Sequence, residues 1–350
     1  MKKILVTGTL GQDGANMAEY LLDEVGEVEV FGMMRRSSNP NFVNTKNFED
    51  HPNFQFIYGD ITDDVSIDKL VKDIQPDYFI NFAANSFVGC SWDMPLQVMD
   101  TNAIGVLRCL ESIRKFKPDC RFYSAGSSEE WGDVDYSPQD IEHPIKPRSP
   151  YGASKAAARH LIKVYRESHN IFAVHGILFN HEGTKRGEEF VTRKITKAVA
   201  KIYHQIKNSK DITPVELGNL DAKRDWSDSK DFVRGVWLML NREEPKDYIL
   251  SSGETHSIRE FVELAFGEAG LEGEWRGEGV EESYILKDDN PALSNKTLLK
   301  INKKFYRPAD VDLLLGDSTP IREELGWKPE VSFDNLVVSM VQYDIDLLDV

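Results

Sequence analysis

The stretch Lys2-Lys3-Ile4-Leu5-Val6-Thr7-Gly8-Thr9-Leu10-Gly11-Gln12-Asp13-Gly14 limits what this chain can fold into more than any other. An apolar run of strand length ends in glycines at 8, 11 and 14. After them, Met17, Leu21, Leu22 and Val25 recur at helical spacing. Strand, glycine turn and helix start together make a phosphate cradle. Glycine permits the tight turn and brings backbone N–H groups to the ligand, while the positive end of the helix dipole faces a pyrophosphate. Three glycines also punctuate ordinary loops. Here the strand before them and the helix after them favour a dinucleotide site formed by residues Gly8 to Gly14.

The chain continues in alternation. Glu27–Met34 reads as a second strand, Phe54–Asp60 as a third, Tyr78–Ala84 as a fourth and Arg121–Ala125 as a fifth, with a helix over Ala103–Phe116. This pattern predicts an α/β fold with a parallel, doubly wound, Rossmann-type sheet. Asp60 and Ile61 are expected at the adenine edge. The small Ala83 and Ala84 would let a cofactor backbone pass close. An acid about 20 residues beyond the glycine turn marks NAD. This chain instead has Arg35, Arg36, Ser37 and Ser38 there, groups suited to a 2′-phosphate, which favours NADP over the plain alternative of an exposed basic loop.

Ligands of such sheets sit at the carboxyl ends of the strands. Ser127, Ser128 and Glu129 follow the fifth strand directly. Beyond a proline-rich approach come Tyr151 and Lys155, four apart and therefore on one helical face. A neighbouring ammonium favours the phenolate, so this spacing predicts a tyrosine base active near neutral pH.

These residues bring out a family likeness. The chain resembles the GDP-mannose 4,6-dehydratases, a family of the extended short-chain dehydrogenase/reductases. The matching stretches are Thr7–Gly14, Arg35–Ser38, Arg148–Tyr151 with Lys155, Gly176–Glu182, Phe190–Ile195, Leu217–Asn219, Arg224–Trp226, Tyr306–Ala309 and Leu325–Pro329. The resemblance implies loss of water from the hexose of GDP-mannose, with a hydride lent to NADP and returned. Tyr151 would take the proton of the 4-hydroxyl, Ser127 would hydrogen-bond that oxygen, and Lys155 would hold the nicotinamide ribose. Glu129 would remove the C5 proton and help expel the 6-hydroxyl. The resemblance further implies that Phe82, Ala83, Ala84, Asn85 and Ser86 line the cofactor, with His181 and Arg186 on the nicotinamide side. Ser86, Asn180, Glu188, Lys194, Gly218, Arg224, Arg307 and Asp310 would hold GDP-mannose. The chain departs from the family pattern at Gln97, at Asp310 and at Glu130-Trp131, which stands where the family carries an apolar–aromatic pair. Beside Glu129, Glu130 is expected to act as a like charge.

Without the resemblance, two other readings stay open. A nucleotide-sugar 4-epimerase or 4-reductase needs Ser127, Tyr151 and Lys155 but no C5 base. A dinucleotide-binding sensor needs none of the four. The net charge of −16 argues against a protein that works by neutralising nucleic-acid phosphates. No apolar run approaches the ~20 residues of a membrane span, and no signal peptide is read at the N-terminus, so a cytoplasmic protein with reduced thiols at Cys90, Cys109 and Cys120 is expected. Residues 1–177 with 221–250 are expected to form the NADP-binding domain. Residues 178–220 and 251–350 would form a smaller, mostly helical lobe for the nucleotide sugar. The stretch from Trp275 to Tyr306 carries no assignable pattern. The family forms homodimers or homotetramers, and the same is expected here.

Overall fold

The computed structural model describes residues 1–305 and 313–349. The chain begins with β1 (Lys2–Thr7), α1 (Gln12–Tyr20), β2 (Val28–Met34), β3 (Phe54–Tyr58), α2 (Asp64–Ile74) and β4 (Tyr78–Asn81). A short α3 (Pro95–Met99), a wide turn over Asp100–Ile104 and α4 (Gly105–Phe116) lead to β5 (Arg121–Ala125). The long α5 (Pro150–His169) precedes β6 (Ala173–Leu178). Successive side chains of β1 show why the run is apolar throughout. Ile4 and Val6 enter the core on one face of the sheet with Met17 and Phe232, while Leu5 enters the core on the other with Val71, Leu110 and Ile162. A strand covered on both faces has no polar side to display.

After β6 the chain crosses to a second body of structure. The elements are β7 (Asn180–Glu182), α6 (Val191–Lys207), β8 (Val215–Leu217), β9 (Lys223–Arg224) and β10 (Trp226–Asp228). Then α7 (Ser229–Leu240) and β11 (Tyr248–Leu250) return to the first body, where β11 pairs with β6. The central sheet has seven parallel strands in the order β11-β6-β5-β4-β1-β2-β3. Its order reverses between β1 and β4, so their carboxyl ends open a crevice.

The remaining elements are β12 (His256–Ser257), α8 (Ile258–Glu268), β13 (Gly273–Arg276), β14 (Ser283–Leu286), β15 (Thr297–Ile301), β16 (Leu313–Leu314), α9 (Thr319–Leu325) and α10 (Phe333–Leu348). The stretch from Trp275 onward, without a pattern in the sequence, contains β13, β14 and β15. With β8 they form a four-stranded sheet. The strands are only four or five residues long and a register shift interrupts the pairing of β14 with β15, which blurs the alternation. This sheet and helices α6, α8 and α10 enclose a separate apolar core around Ile195, Phe261, Leu299 and Val337. Trp226, at the crossing between the two bodies, packs into that second core. Among the described residues no helix is long and apolar enough to cross a membrane, and no cluster of His, Cys, Asp and Glu is arranged to hold a metal.

Candidate active site

A cleft of ≈ 1960 Å³ runs from the crevice between β1 and β4 into the groove between the two bodies. A pocket for one drug-sized ligand holds roughly 300–1,000 Å³, so this cleft has room for two nucleotide-sized molecules. At its floor is the glycine turn. Gly8 has φ +70°, and a Cβ on Gly14 would lie 2.3 Å from the Gly8 carbonyl oxygen. The turn thus closes only without side chains, and it exposes the N-terminus of α1. Thr7 Oγ1 donates to Asn81 Oδ1 at 2.6 Å and accepts from the Ala83 N–H at 3.0 Å, locking the exits of β1 and β4 together. This cradle fits a dinucleotide pyrophosphate.

The side chains expected around a dinucleotide converge here. Residues Gly8 to Gly14, Arg35, Arg36, Ser37, Asp60, Ile61, Phe82 to Ser86, Tyr151, Lys155, His181 and Arg186 all line the cleft. Asp60 shapes its edge, since its Oδ1 accepts from the backbone and hydroxyl of Thr62 at 2.9 and 2.8 Å. His181 is committed at both ring nitrogens. Nδ1 lies 2.7 Å from the Phe179 carbonyl and Nε2 3.0 Å from the Asp13 carboxylate. Both partners are oxygen acceptors, an arrangement that favours a ring donating from both nitrogens. Burial alone would discharge it, but Asp13 outweighs that and raises its pKa, while His181 holds the Asp13 carboxyl below its ordinary value against the same burial.

The groups expected to react stand at the tips of β5 and α5. Ser149 caps α5, accepting from the Gly152 N–H at 3.0 Å, with Pro150 at the first helical position. A Cβ on Gly152 would come 2.3 Å from the Glu129 carbonyl oxygen, so glycine lets the helix start against the turn that carries Glu129. Lys155 Nζ donates to the Ala125 carbonyl at 2.6 Å and lies 5.8 Å from the Tyr151 ring centre. Ser127, Glu129, Tyr151 and Lys155 thereby share one wall of the cleft. Burial pushes the Tyr151 phenol up, the Ser127 hydroxyl bonded to it pulls the other way, and the charges of Glu129 and Glu130 add to the rise. The expected depression of Tyr151 by Lys155 is therefore not what the protein's own groups produce. Desolvation dominates both residues and draws the Lys155 ammonium down to about 8.

The far end of the cleft carries the expected sugar-nucleotide residues. Ser86, Asn180, Glu188, Lys194, Gly218 and Arg224 line it, whereas Arg307 and Asp310 lie outside the described residues. Glu188 is ion-paired with Lys197. Lys194 Nζ donates to the Glu216 carbonyl at 2.5 Å and sits 3.5 Å from the centre of the Phe305 ring. Arg224 donates to the Lys223 carbonyl at 2.8 Å.

Two features go beyond the sequence reading. Glu130 does not line the cleft beside Glu129. It is fully buried and turned toward His175. Asn102, which sequence reasoning passed over, grips the exit of β4. Its Oδ1 accepts from the Asn85 N–H at 2.9 Å, and its Nδ2 donates to the Asn85 carbonyl at 3.1 Å and to Ser154 Oγ at 3.0 Å. Its partners lie 17 and 52 residues away, so no local pattern could reveal it.

Comparison with known proteins sharpens this picture. A family model described as "GDP-mannose 4,6 dehydratase" matches residues 5–340. The GDP-mannose 4,6 dehydratase of Drosophila melanogaster is 42% identical over 355 residues, covering 99% of this chain and 87% of that protein. The human GDP-mannose 4,6 dehydratase is 41% identical, with 98% and 91% covered. The Sinorhizobium fredii GDP-mannose 4,6-dehydratase is 42% identical, with 99% and 97% covered. Among solved structures, a Streptomyces venezuelae dTDP-glucose 4,6-dehydratase with bound NAD has the same fold, with a TM-score of 0.80 at 21% identity over 97% of this chain and 96% of that one. RMD from Pseudomonas aeruginosa, complexed with NADPH, scores 0.76 at 21% identity over 99% and 100%.

Proposed function

This chain belongs to the GDP-mannose 4,6-dehydratase family, and from that premise we propose that it removes water from GDP-mannose to give GDP-4-keto-6-deoxymannose, using NADP. The observation that carries the proposal is the gathering of a phenol, an ammonium, a hydroxyl and a carboxylate on one wall of a cleft floored by a glycine phosphate cradle.

An oxidised nicotinamide dinucleotide bound in that cradle supplies the chemistry of accepting a hydride from the sugar C4 and returning it at C6. Residues Gly8 to Gly14 would hold its pyrophosphate and Lys155 its ribose. Arg35, Arg36 and Ser37 would take a 2′-phosphate, because guanidinium forks match phosphate oxygens. Tyr151 is the base that receives the 4-hydroxyl proton, and Ser127, hydrogen-bonded to it, steadies that oxygen. Burial opposes the phenolate that Tyr151 must become, and the Ser127 hydroxyl bonded to it works the other way. Glu129 then takes the C5 proton, which a 4-ketone has made acidic, and delivers a proton to the departing 6-hydroxyl; Tyr151 gives its proton back at C5, so both residues end as they began. A carboxylate at that place is what separates dehydration from epimerisation.

The division of labour belongs to the same proposal. Residues 1–177 with 221–250 serve the dinucleotide, and 178–220 with 251–350 serve the nucleotide sugar. Assembly as a homodimer or homotetramer, as the family resemblance implies, belongs to the same proposal.

Incubating the chain with NADP and GDP-mannose and weighing the sugar nucleotide tests the reading. Loss of the mass of one water, with a 4-keto product and no net change in the dinucleotide, is the expected result. An isomer of unchanged mass marks an epimerase and overturns it. Parallel incubations with UDP- and dTDP-hexoses test the preference for guanine.

A further inference from the structure

Behind the candidate reactive wall lies a buried carboxylate–imidazole pair that the chemistry above does not use. Glu130 and His175 both have fully buried side chains. Glu130 Oε1 accepts from the Ser127 N–H at 2.9 Å and from His175 Nε2 at 2.9 Å. In return Ser127 Oγ accepts from the Glu129 N–H at 3.2 Å, which closes a reciprocal cap around the turn Ser128–Glu130. One carboxylate therefore fixes the backbone that presents both the hydroxyl and the acid of the site. His175 comes from β6, so the turn is tied to the sheet as well as to itself.

We propose that Glu130, held by His175, is a positioning residue for the reaction proposed above. It sets the turn that aims Ser127 and Glu129, and it stands as a fixed negative charge behind Lys155.

The electrostatics agree with the geometry. Glu130 is faced by His175 from β6 and by Arg159, Tyr151 and Lys155 from α5. Lys155 in turn is faced by Glu130 and by Asp13 of the glycine turn, and these two charges oppose the burial that would strip its proton. Tyr151 is faced by Ser127, Glu129, Glu130 and Arg186, and Glu130 adds to the rise in its pKa. Removing the Glu130 charge thus moves both groups the same way, toward lower pH.

Glu130→Gln keeps the shape and the acceptor for Ser127 but removes the charge. Two readouts are needed, because the inference rests on the dehydratase reading. The first is independent of turnover: the titration of Lys155, followed by NMR of the carbon beside its nitrogen in labelled protein. Its midpoint is expected to fall by about one pH unit. The second is turnover of GDP-mannose. The kcat at the wild-type optimum is expected to fall about tenfold, with KM within about twofold and the whole pH profile displaced to the acid side. An unmoved lysine titration with unchanged kcat, even with a lower Tm, overturns the proposal. A shifted titration in a chain that releases no water from GDP-mannose upholds the charge role and overturns only the dehydratase reading. Should Glu130→Gln fail to fold, the double variant E130L/H175L carries the same two readouts, since replacing both members of a buried polar pair by apolar groups is often tolerated.

Discussion

Lys155 Nζ lies 2.6 Å from the carbonyl oxygen of Ala125, the last residue of β5. The bond ties α5, which carries Tyr151, to the strand that delivers Ser127 and Glu129. One ammonium thereby adjusts both the spacing and the charge of the reactive wall. Because burial has drawn it down to about 8, its proton is lost within an accessible range of pH.

Activity should therefore decline as pH rises through about 8, where the ammonium becomes an amine. Lys155→Met removes the ammonium at every pH and should lower kcat by about 10²–10⁴. Steady-state rates across pH 6–10 check both statements. A wild-type rate that stays level through that range, or a Met variant of full activity, counts against them.

Replacing Glu129 with Gln preserves its size and removes its ability to take a proton. Water loss should fall by about 10²–10⁴, while binding of GDP-mannose, measured by calorimetry, changes little. If the variant still exchanges the sugar's C4 hydride with the dinucleotide, the oxidation half of the reaction has survived alone. Full dehydration by Glu129→Gln would remove that residue from the mechanism.

Gly14→Ala tests the cradle. The added methyl would lie 2.3 Å from the Gly8 carbonyl oxygen, so the turn must open. A cost of about 1–3 kcal/mol in stability is expected from such overpacking, together with a loss of dinucleotide binding that is larger than the change in Tm implies. Denaturant titration and dinucleotide fluorescence measure the two. Unaltered affinity would show that the cofactor does not rest on this turn.

The Asp13–His181 pair gives stability a dependence on pH. The His181 pKa is raised above 6.5, so its contribution is complete below that value and disappears as pH rises through the folded-state pKa. The Asp13 pKa is lowered below 3.8, so its contribution is present above that value and disappears as pH falls through the folded-state pKa. The pair thus stabilises most between these limits. His181→Gln should lower Tm there, by about 1–3 kcal/mol of stability, and should converge on the wild type in alkali. A Tm difference that does not vary with pH would mean the ring acts only by packing.

Arg35 and Arg36 follow the end of β2, exposed at the lip of the cleft. Replacing both with Ala should weaken NADP by about 10–100-fold, the worth of one or two charge-assisted hydrogen bonds, and leave NAD nearly unchanged. Equal losses for both dinucleotides would show that the pair does not read the 2′-phosphate.

Much of the first half was legible because its determinants are local. The Ile4-Leu5-Val6 run, the glycines at 8, 11 and 14, and the four-residue step from Tyr151 to Lys155 each express a period or a turn within a dozen residues. The serine before Pro150 was equally readable as a helix cap, although it entered the reading only within a family motif. The second half was harder. Strands β13 to β15 are short and interrupted, so their alternation is too brief to separate from an irregular loop. The direction of Glu130 was not legible, because adjacency in sequence says nothing about direction. Across the tight turn after β5, Glu129 lines the cleft while Glu130 enters the core.

The doubly wound sheet, the glycine turn and the candidate reactive groups were readable from the chain alone, because periodicity, glycine conformation and side-chain chemistry are written in neighbouring residues. Which groups meet across the chain was left to packing: Asn102 with Asn85, Asp13 with His181, Glu130 with His175, and Lys155 with Ala125. Those pairings set orientation and charge through burial and long-range contact, and neither quantity exists until the strands and helices have packed.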